Sequence, residues 1–300
     1  MTRRDFCAAA AATLAAGCAS LGLGKKRRFA INPATIREFH LPLEEQVRLA
    51  IAAGYDGMEP WLKDVHAAKA AGKLDDIRKM AADANFKFIN GIAFGQWAHP
   101  DHVTRNIGLE ETKRDMAALA ELECPYIAAS MFGLQKKGAP RVTGEEIAAR
   151  YVAVVNLGKA YGVTPLLEYW GHSVTLFRLE QALAILRKLN RTDVGLLPDV
   201  YHTYRGGSSF AAFKRLDPAW VPVLHVNDYP ARLPERLADR DRIWPGDGMA
   251  PWREIYAALD DVGASPWFSL ELFNPDYQKT RPEDTLATGL EKMRTAGHGA

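Results

Sequence analysis

The chain has 300 residues, 48% of them hydrophobic and 25% charged, with a formal net charge of +2. That is the composition of a soluble globular protein with a sizeable core, long enough for one large domain or two small ones. The near-balanced charge gives no basis for a nucleic-acid partner or for attraction to an anionic membrane surface.

At the N-terminus, Arg3 and Arg4 precede an Ala-rich apolar stretch from Phe6 to Gly17, shorter than the about 20 residues that span a bilayer. A basic region followed by a short apolar one is the pattern of a secretory signal, so residues 1–24 are expected to be an export segment, removed or lipid-anchored in the mature protein. The start "MTRRDF" resembles a twin-arginine signal, which implies export of the folded chain, with any metal already loaded, to the periplasm or envelope. "LAAGC", ending at Cys18, resembles a lipoprotein cleavage box with its leucine one position further from the cysteine than usual, and leaves a lipid anchor open. The one interior cysteine, Cys124, has no internal partner, so stability must come from the core.

From residue 29 onward, short apolar runs alternate with longer amphipathic ones. The apolar runs are 29–35, 55–61, 86–94, 124–133, 163–171, 194–202, 221–229 and 267–274, each the length of a buried strand. Between them, "PLEEQVRLAIAAG" carries Val47, Ala50 and Ile51 at helical spacing and stops at Gly54. "LEETKRDMAALAEL", "TGEEIAARYVAVVNLGKAYG" and "RLEQALAILRKLN" read the same way, and Thr143 with Glu146 forms a capping-box pattern. Eight strand–helix alternations predict a parallel sheet closing into a single-domain α/β (β/α)8 TIM barrel over residues 29–296. A doubly wound open sheet is the alternative, but its G-x-G-x-x-G fingerprint is missing after the first strand. Residues 230–248, rich in Arg and Asp, form the one long loop and a candidate lid.

In such a barrel the active site lies at the C-terminal ends of the strands. The last polar residues of strands five to eight are Glu168, Asp199, His225 and Glu271. Each follows an apolar run and is expected to be buried, where isolated carboxylates are costly and would repel one another. A divalent metal removes that difficulty, and three oxygens with one nitrogen suit Mn, Mg, Co or Zn.

These residues, with "DVYH" and "RIWPGDG", resemble the xylose isomerase-like barrels that include sugar isomerases and epimerases, over roughly residues 29–296. The resemblance implies that Glu168, Asp199, His225 and Glu271 ligate one divalent metal ion. It implies that Glu168 and Glu271 also transfer protons on opposite faces of the substrate. His202, three residues after Asp199, is then a substrate contact, and Arg242 a substrate-binding arginine, with Arg232, Arg236 and Arg240 as competitors. Apurinic endonucleases of the superfamily carry further metal-binding histidines after strands three and four, which "FINGIAF" and "IAASMFG" lack. DNA repair is therefore not expected.

Glu59, ending strand two, is a further candidate substrate contact, weighed against a structural role. Trp61, Phe94, Trp97, Trp170 and Trp244 are divided between packing and sugar contact. His99 and His102 are expected to be exposed loop residues, and His172 stays open. Gly206 and Gly207 are expected to turn the chain from strand six into its following helix. The function expected is isomerisation or epimerisation of a small carbohydrate or hydroxy-ketone through an enediolate. The rivals are a lyase or hydrolase of keto-glycosides with the same site, and a non-catalytic carbohydrate-binding protein. Oligomerisation is left open. Export favours neutral sugars over sugar phosphates.

Overall fold

The computed structural model describes residues 27–297; the export segment expected over residues 1–24, with Cys18, lies outside them. The strands are β1 (Arg28–Ile31), β2 (Gly57–Met58), β3 (Lys87–Phe88), β4 (Tyr126–Ala129), β5 (Thr164–Glu168), β6 (Gly195–Leu197), β7 (Val223–Val226) and β8 (Trp267–Leu270). One parallel run follows the order β3-β2-β1-β8-β7 and another β4-β5-β6. Single parallel bridges, Gly91 to Ile127 and Asp199 to His225, join the two runs and close the ring. Because β1 pairs with both β2 and β8, the sheet has no open edge there, and the architecture is the expected single-domain α/β barrel rather than a doubly wound sheet.

The helices are α1 (Leu43–Ala53), α2 (Leu62–Ala70), α3 (Leu74–Asp83), α4 (His102–Glu121), α5 (Gly144–Lys159), α6 (Leu179–Leu189), α7 (Val200–Arg205), α8 (Trp252–Asp261) and α9 (Pro282–Thr295). Local chemistry sets their ends. Gly54 closes α1 at φ 88°, a conformation other residues adopt at a cost. At α5, Thr143 Oγ1 accepts the Glu146 N–H at 3.2 Å and Glu146 Oε2 accepts the Thr143 N–H at 2.8 Å, the expected capping box. Among the described residues no helix is long and apolar enough to cross a membrane.

After β6 the chain departs from expectation. Asp199 caps α7 directly, and Gly206 and Gly207 end that short helix instead of releasing a long one. Before β7 come only two 3-10 segments, Pro218–Trp220 and, ahead of it, Phe210–Arg215. Its side chains pack through Ala212 and Phe213, which an irregular segment achieves without helical periodicity.

Strand periodicity carries the chain from core to site. Ala30, Ala128, Leu166, Leu197 and Val223, one from each of five strands, form an apolar cluster separate from the one packed under the helices. Side chains two residues apart on a strand face the same way. The same inward face therefore presents Asn32, Ser130, Glu168, Asp199 and His225 one layer further on, all at most 6% exposed.

Candidate metal centre at the C-terminal face of the barrel

Asp199, His225 and Glu271 bring ligand-type atoms within 4.8 Å of one another. His225 Nδ1 lies 3.3 Å from Glu271 Oε2 and 3.6 Å from Asp199 Oδ2. Glu168, the fourth residue expected in the set, lines the same cavity but stands outside that tightest group.

Each of the three is fixed by a separate partner. Asp199 Oδ1 accepts the His202 N–H at 2.7 Å as the cap of α7, and Asn227 Nδ2 donates to both Asp199 oxygens at 3.2 and 3.3 Å. Glu271 Oε1 accepts from Asn32 Nδ2 at 3.1 Å, and Asn32 Oδ1 in turn accepts from Trp61 Nε1 at 3.1 Å. His225 Nε2 lies 3.0 Å from Glu59 Oε2, which also accepts from Asn90 Nδ2 at 2.7 Å.

Glu59 is thus placed differently from a substrate contact. It is fully buried behind His225 and is not among the residues lining the cavity. Its carboxylate holds the Nε2 proton of the imidazole and leaves Nδ1 as the nitrogen that faces Asp199 and Glu271 and, once deprotonated, offers a lone pair. That Nδ1 is buried without a hydrogen-bond partner. A histidine whose far nitrogen is held by a carboxylate, and whose near nitrogen points unpaired at two carboxylate oxygens, has the environment of a metal ligand. The donor chemistry fits a divalent cation of the Zn or Mn type.

Arg242 is the arginine that enters the site; Arg232, Arg236 and Arg240 are exposed on the loop. Its guanidinium is 1% exposed. Nη1 donates to Glu271 Oε2 at 2.7 Å and to Asp199 Oδ2 at 3.0 Å, and Nη2 to Asp239 Oδ1 at 3.1 Å. The guanidinium carbon sits 4.5 Å from the Tyr201 ring centre and 4.9 Å from that of Phe273.

His202 is also brought to the cavity, from α7. Its Nδ1 accepts the Gly171 N–H at 3.1 Å, so the ring proton of the neutral form belongs on Nε2. A side chain at Gly171 would have its Cβ 2.6 Å from His202 O, so only glycine allows this approach. His202 Nε2 lies 3.0 Å from Arg242 Nη2, which sets two donors face to face. His172, His202 and Asp239 form a second close group, but the charge of Arg242 already sits between His202 and Asp239.

The electrostatics separate the two glutamates. Burial pushes Glu168 up to about 8, against the pull of His225 and with the repulsion of Glu271 and Asp199. Burial acts on Glu271 in the same direction, but His225 and Arg242 overcome it and hold the carboxyl below its usual range. Asp199 is likewise held well below the usual carboxylate range despite burial, by Arg242, His202 and His225. Burial pulls His202 down to about 4, so it is neutral near pH 7.

The remaining wall of this roughly 180 Å³ cavity includes Trp61, Phe94, Trp170, His172 and Phe273. Trp97 and Trp244 do not line it: the first packs on Tyr151 and the second stacks on Tyr277. His99 and His102 lie in the loop before α4 and at its start, and belong to neither ligand-type group. Asn32, Asn90, Asn227 and Asp239 are site residues that sequence reasoning passed over. The first three end apolar strand runs just as the expected ligands do, which is the signal that was available.

A closed parallel barrel with imidazole and carboxylates converging at its C-terminal end defines a (β/α)8 metal-site protein. A family model described as xylose isomerase-like TIM barrel matches residues 47–296, and the chain belongs to that family. It is 28% identical over 275 residues to an inosose isomerase of Bacillus velezensis, covering 88% of this chain and 95% of the relative. It is 23% identical to a 3-dehydroshikimate dehydratase of Pseudomonas aeruginosa, over 84% of this chain but 39% of that longer relative. Among solved structures, the IolI protein with a bound zinc atom superposes with a TM-score of 0.81 at 27% identity, covering 89% of this chain and 96% of that one.

Proposed function

We propose that the protein is a divalent-metal-dependent isomerase or epimerase of a small polyhydroxylated ketone, acting through an enediolate. The observation that carries this reading is the unpaired His225 Nδ1 facing Asp199 and Glu271, with Glu168 lining the same cavity. The inosose isomerase relative and the zinc-bound IolI structure support it. Asp199, His225, Glu271 and Glu168 would hold the cation, which supplies positive charge against the negative charge that develops on the substrate's adjacent oxygens.

The chain's own groups move the protons. Glu271, ionised, is suited to take a proton from the carbon beside the carbonyl. Glu168, which burial makes the more basic of the two carboxyls, is suited to carry one back to the substrate. A substrate oxygen placed between His202 Nε2 and Arg242 Nη2 would accept from both and relieve their donor–donor contact. The aromatic wall of Trp61, Phe94 and Trp170 would pack against the C–H faces of the ring and exclude water. With the export expected for residues 1–24, neutral substrates are favoured over phosphorylated ones.

The test is deuterium wash-in: manganese-loaded protein is incubated in heavy water with inososes and ketoses, and label is sought at the carbon next to the carbonyl. Incorporation that disappears in Glu271→Gln supports the reading; exchange that survives this change sinks the roles given to the glutamates. A second reading, elimination of a β-substituent, is favoured by the dehydratase relative and by neutral His202, whose Nε2 proton suits a departing oxygen. Release of water or an aglycone in the same incubations would select it.

A further inference from the structure

The reacting cavity does not end at its aromatic wall. Trp61, Ile92 and Phe94 also line a second cavity of about 390 Å³, set between α2 and α4. Trp61 and Phe94 meet edge to face at 6.1 Å, and Phe94 continues to Phe132 at 5.3 Å. Phe94 is 41% exposed and Phe132 36% exposed, an unusual state for neighbouring aromatic rings at the lip of a polar site.

The second cavity is lined beyond these rings by Lys63, His66, Glu111, Arg114 and Asp115. His66 and Asp115 satisfy each other at 2.6 Å. Lys63 lies over the Trp61 ring at 4.8 Å, and its side chain has no hydrogen-bonded partner among the described residues. Glu111 and Arg114 likewise make no side-chain hydrogen bond or ion pair among the described residues. With Asp115 counted, the lining carries two cations and two carboxylates, and Lys63, Arg114 and Glu111 keep unspent donors and an unspent acceptor beside an exposed aromatic face. That combination suits neither a phosphate, which calls for a surplus of cations, nor an aliphatic chain, which leaves the charges unmatched. It suits a neutral ring with hydroxyls on its edge and C–H groups on its face.

The size of the reacting cavity points the same way. At about 180 Å³ it holds one small ring, below the roughly 300–1,000 Å³ usual for ligand sites. We propose that the cavity between α2 and α4 is a second subsite, reached over Phe94, which takes the non-reacting ring of a glycoside whose ketone-bearing ring occupies the metal-side cavity. The inference rests on the proposed ketone chemistry and narrows it from free sugars to two-ring substrates. Phe94 is the platform for the second ring, and Lys63, Glu111 and Arg114 meet its hydroxyls.

The experiment compares two ligands by calorimetry on manganese-loaded protein: the methyl glycoside of a keto-glucose, with one ring, and the corresponding keto-disaccharide, with two. The two-ring ligand is expected to bind at least about tenfold more tightly, the worth of one or two well-placed hydrogen bonds. The double change Lys63→Ala with Arg114→Ala, and separately Glu111→Gln, should each shrink that ratio at least about threefold. All three residues are surface groups, so the variants fold, and thermal melting verifies it. Equal affinity for the two ligands, binding of neither, or a ratio that both variants leave unchanged overturns the subsite. So does a change in sedimentation with no change in ratio, which would assign the cavity to a second copy of the chain. Calorimetry requires no turnover, so an absent deuterium exchange with the binding ratio intact would sink the isomerase reading and leave the subsite standing.

Discussion

Arg242 Nη1 donates to Glu271 Oε2 at 2.7 Å and to Asp199 Oδ2 at 3.0 Å. Both carboxylates belong to the close ligand-type group, so the guanidinium supplies part of the positive charge that a divalent ion would bring. Removing it strands two buried carboxylates. Arg242→Ala is expected to destabilise the metal-free protein by about 3–5 kcal/mol, the usual cost of breaking a buried pair. Saturating manganese should recover most of that loss, because the ion replaces the missing charge. Denaturant unfolding with and without chelator reads both numbers. Equal losses in the two conditions would mean that Arg242 acts through packing on Tyr201 and Phe273 instead.

The contact between Glu59 and His225 leads to a second outcome. With Glu59 Oε2 holding Nε2 at 3.0 Å, Nδ1 is left as the donor toward the cation. Glu59→Gln keeps the shape but removes the charge that makes the imidazole a stronger ligand. Metal affinity should fall by about 10–100-fold, as it does when such outer partners are changed. Competition against a chelator of known affinity measures it, and an unchanged affinity would refute the positioning role.

These two contacts also mark the boundary of what the sequence discloses. The strands and their closure were legible because eight apolar runs alternate with helical periods, and the inward face can be followed in steps of two from Leu166 to Glu168 and from Leu197 to Asp199. The Thr143–Glu146 cap is local chemistry and was equally legible. The carboxylate behind His225 was not: Glu59 and His225 lie 166 positions apart, and nothing in "GMEPW" distinguishes a carboxylate aimed at a neighbouring strand from one aimed at the cavity. Helix α7 was missed because six residues are too few to show a period, and its cap is the same Asp199 that was read only as a ligand. Of helix α4 only the part from Leu109 onward was legible, because His102–Gly108 buries Gly108 alone and carries no apolar period.

Proton release is expected on metal uptake. Burial raises Glu168 to about 8 in the metal-free protein, so near pH 7 its carboxyl holds a proton more often than not. His225 is also held well above the usual imidazole range: burial would lower it, but Glu271, Glu59 and Asp199 prevail. Ligation requires a carboxylate and a neutral imidazole, so binding at pH 7 must expel these protons, and affinity must rise as pH climbs toward 8. The sign follows from both groups being raised: below their own values they are protonated and compete with the ion. Calorimetric titration with manganese in two buffers of different ionisation enthalpy counts the protons. A heat that does not depend on the buffer would exclude this coupling.

The last expectation concerns how Arg242 is kept in place. The loop that carries it is anchored by Asp228, a fully buried carboxylate that accepts four donors. Oδ1 takes the N–H groups of Tyr229 and Ala250 at 2.8 Å each, and Oδ2 takes those of Gly246 at 2.9 Å and Trp252 Nε1 at 3.0 Å. The Asp228 backbone also exchanges two 2.9 Å hydrogen bonds with Ile243, the residue after Arg242. One side chain therefore ties together both ends of the loop at the point where the arginine turns inward. In Asp228→Asn an amide NH2 replaces one acceptor and faces two donors, which should cost about 2–4 kcal/mol. Gly248→Ala presses on the same anchor from outside, since a Cβ there would lie 2.3 Å from Asp228 Oδ1. Both changes act only through the position of Arg242, and the ion replaces its charge on Glu271 in the metal-loaded protein, so KM should rise several-fold with kcat less affected. A fall in kcat at unchanged KM would instead place Asp228 in the path of the chemistry.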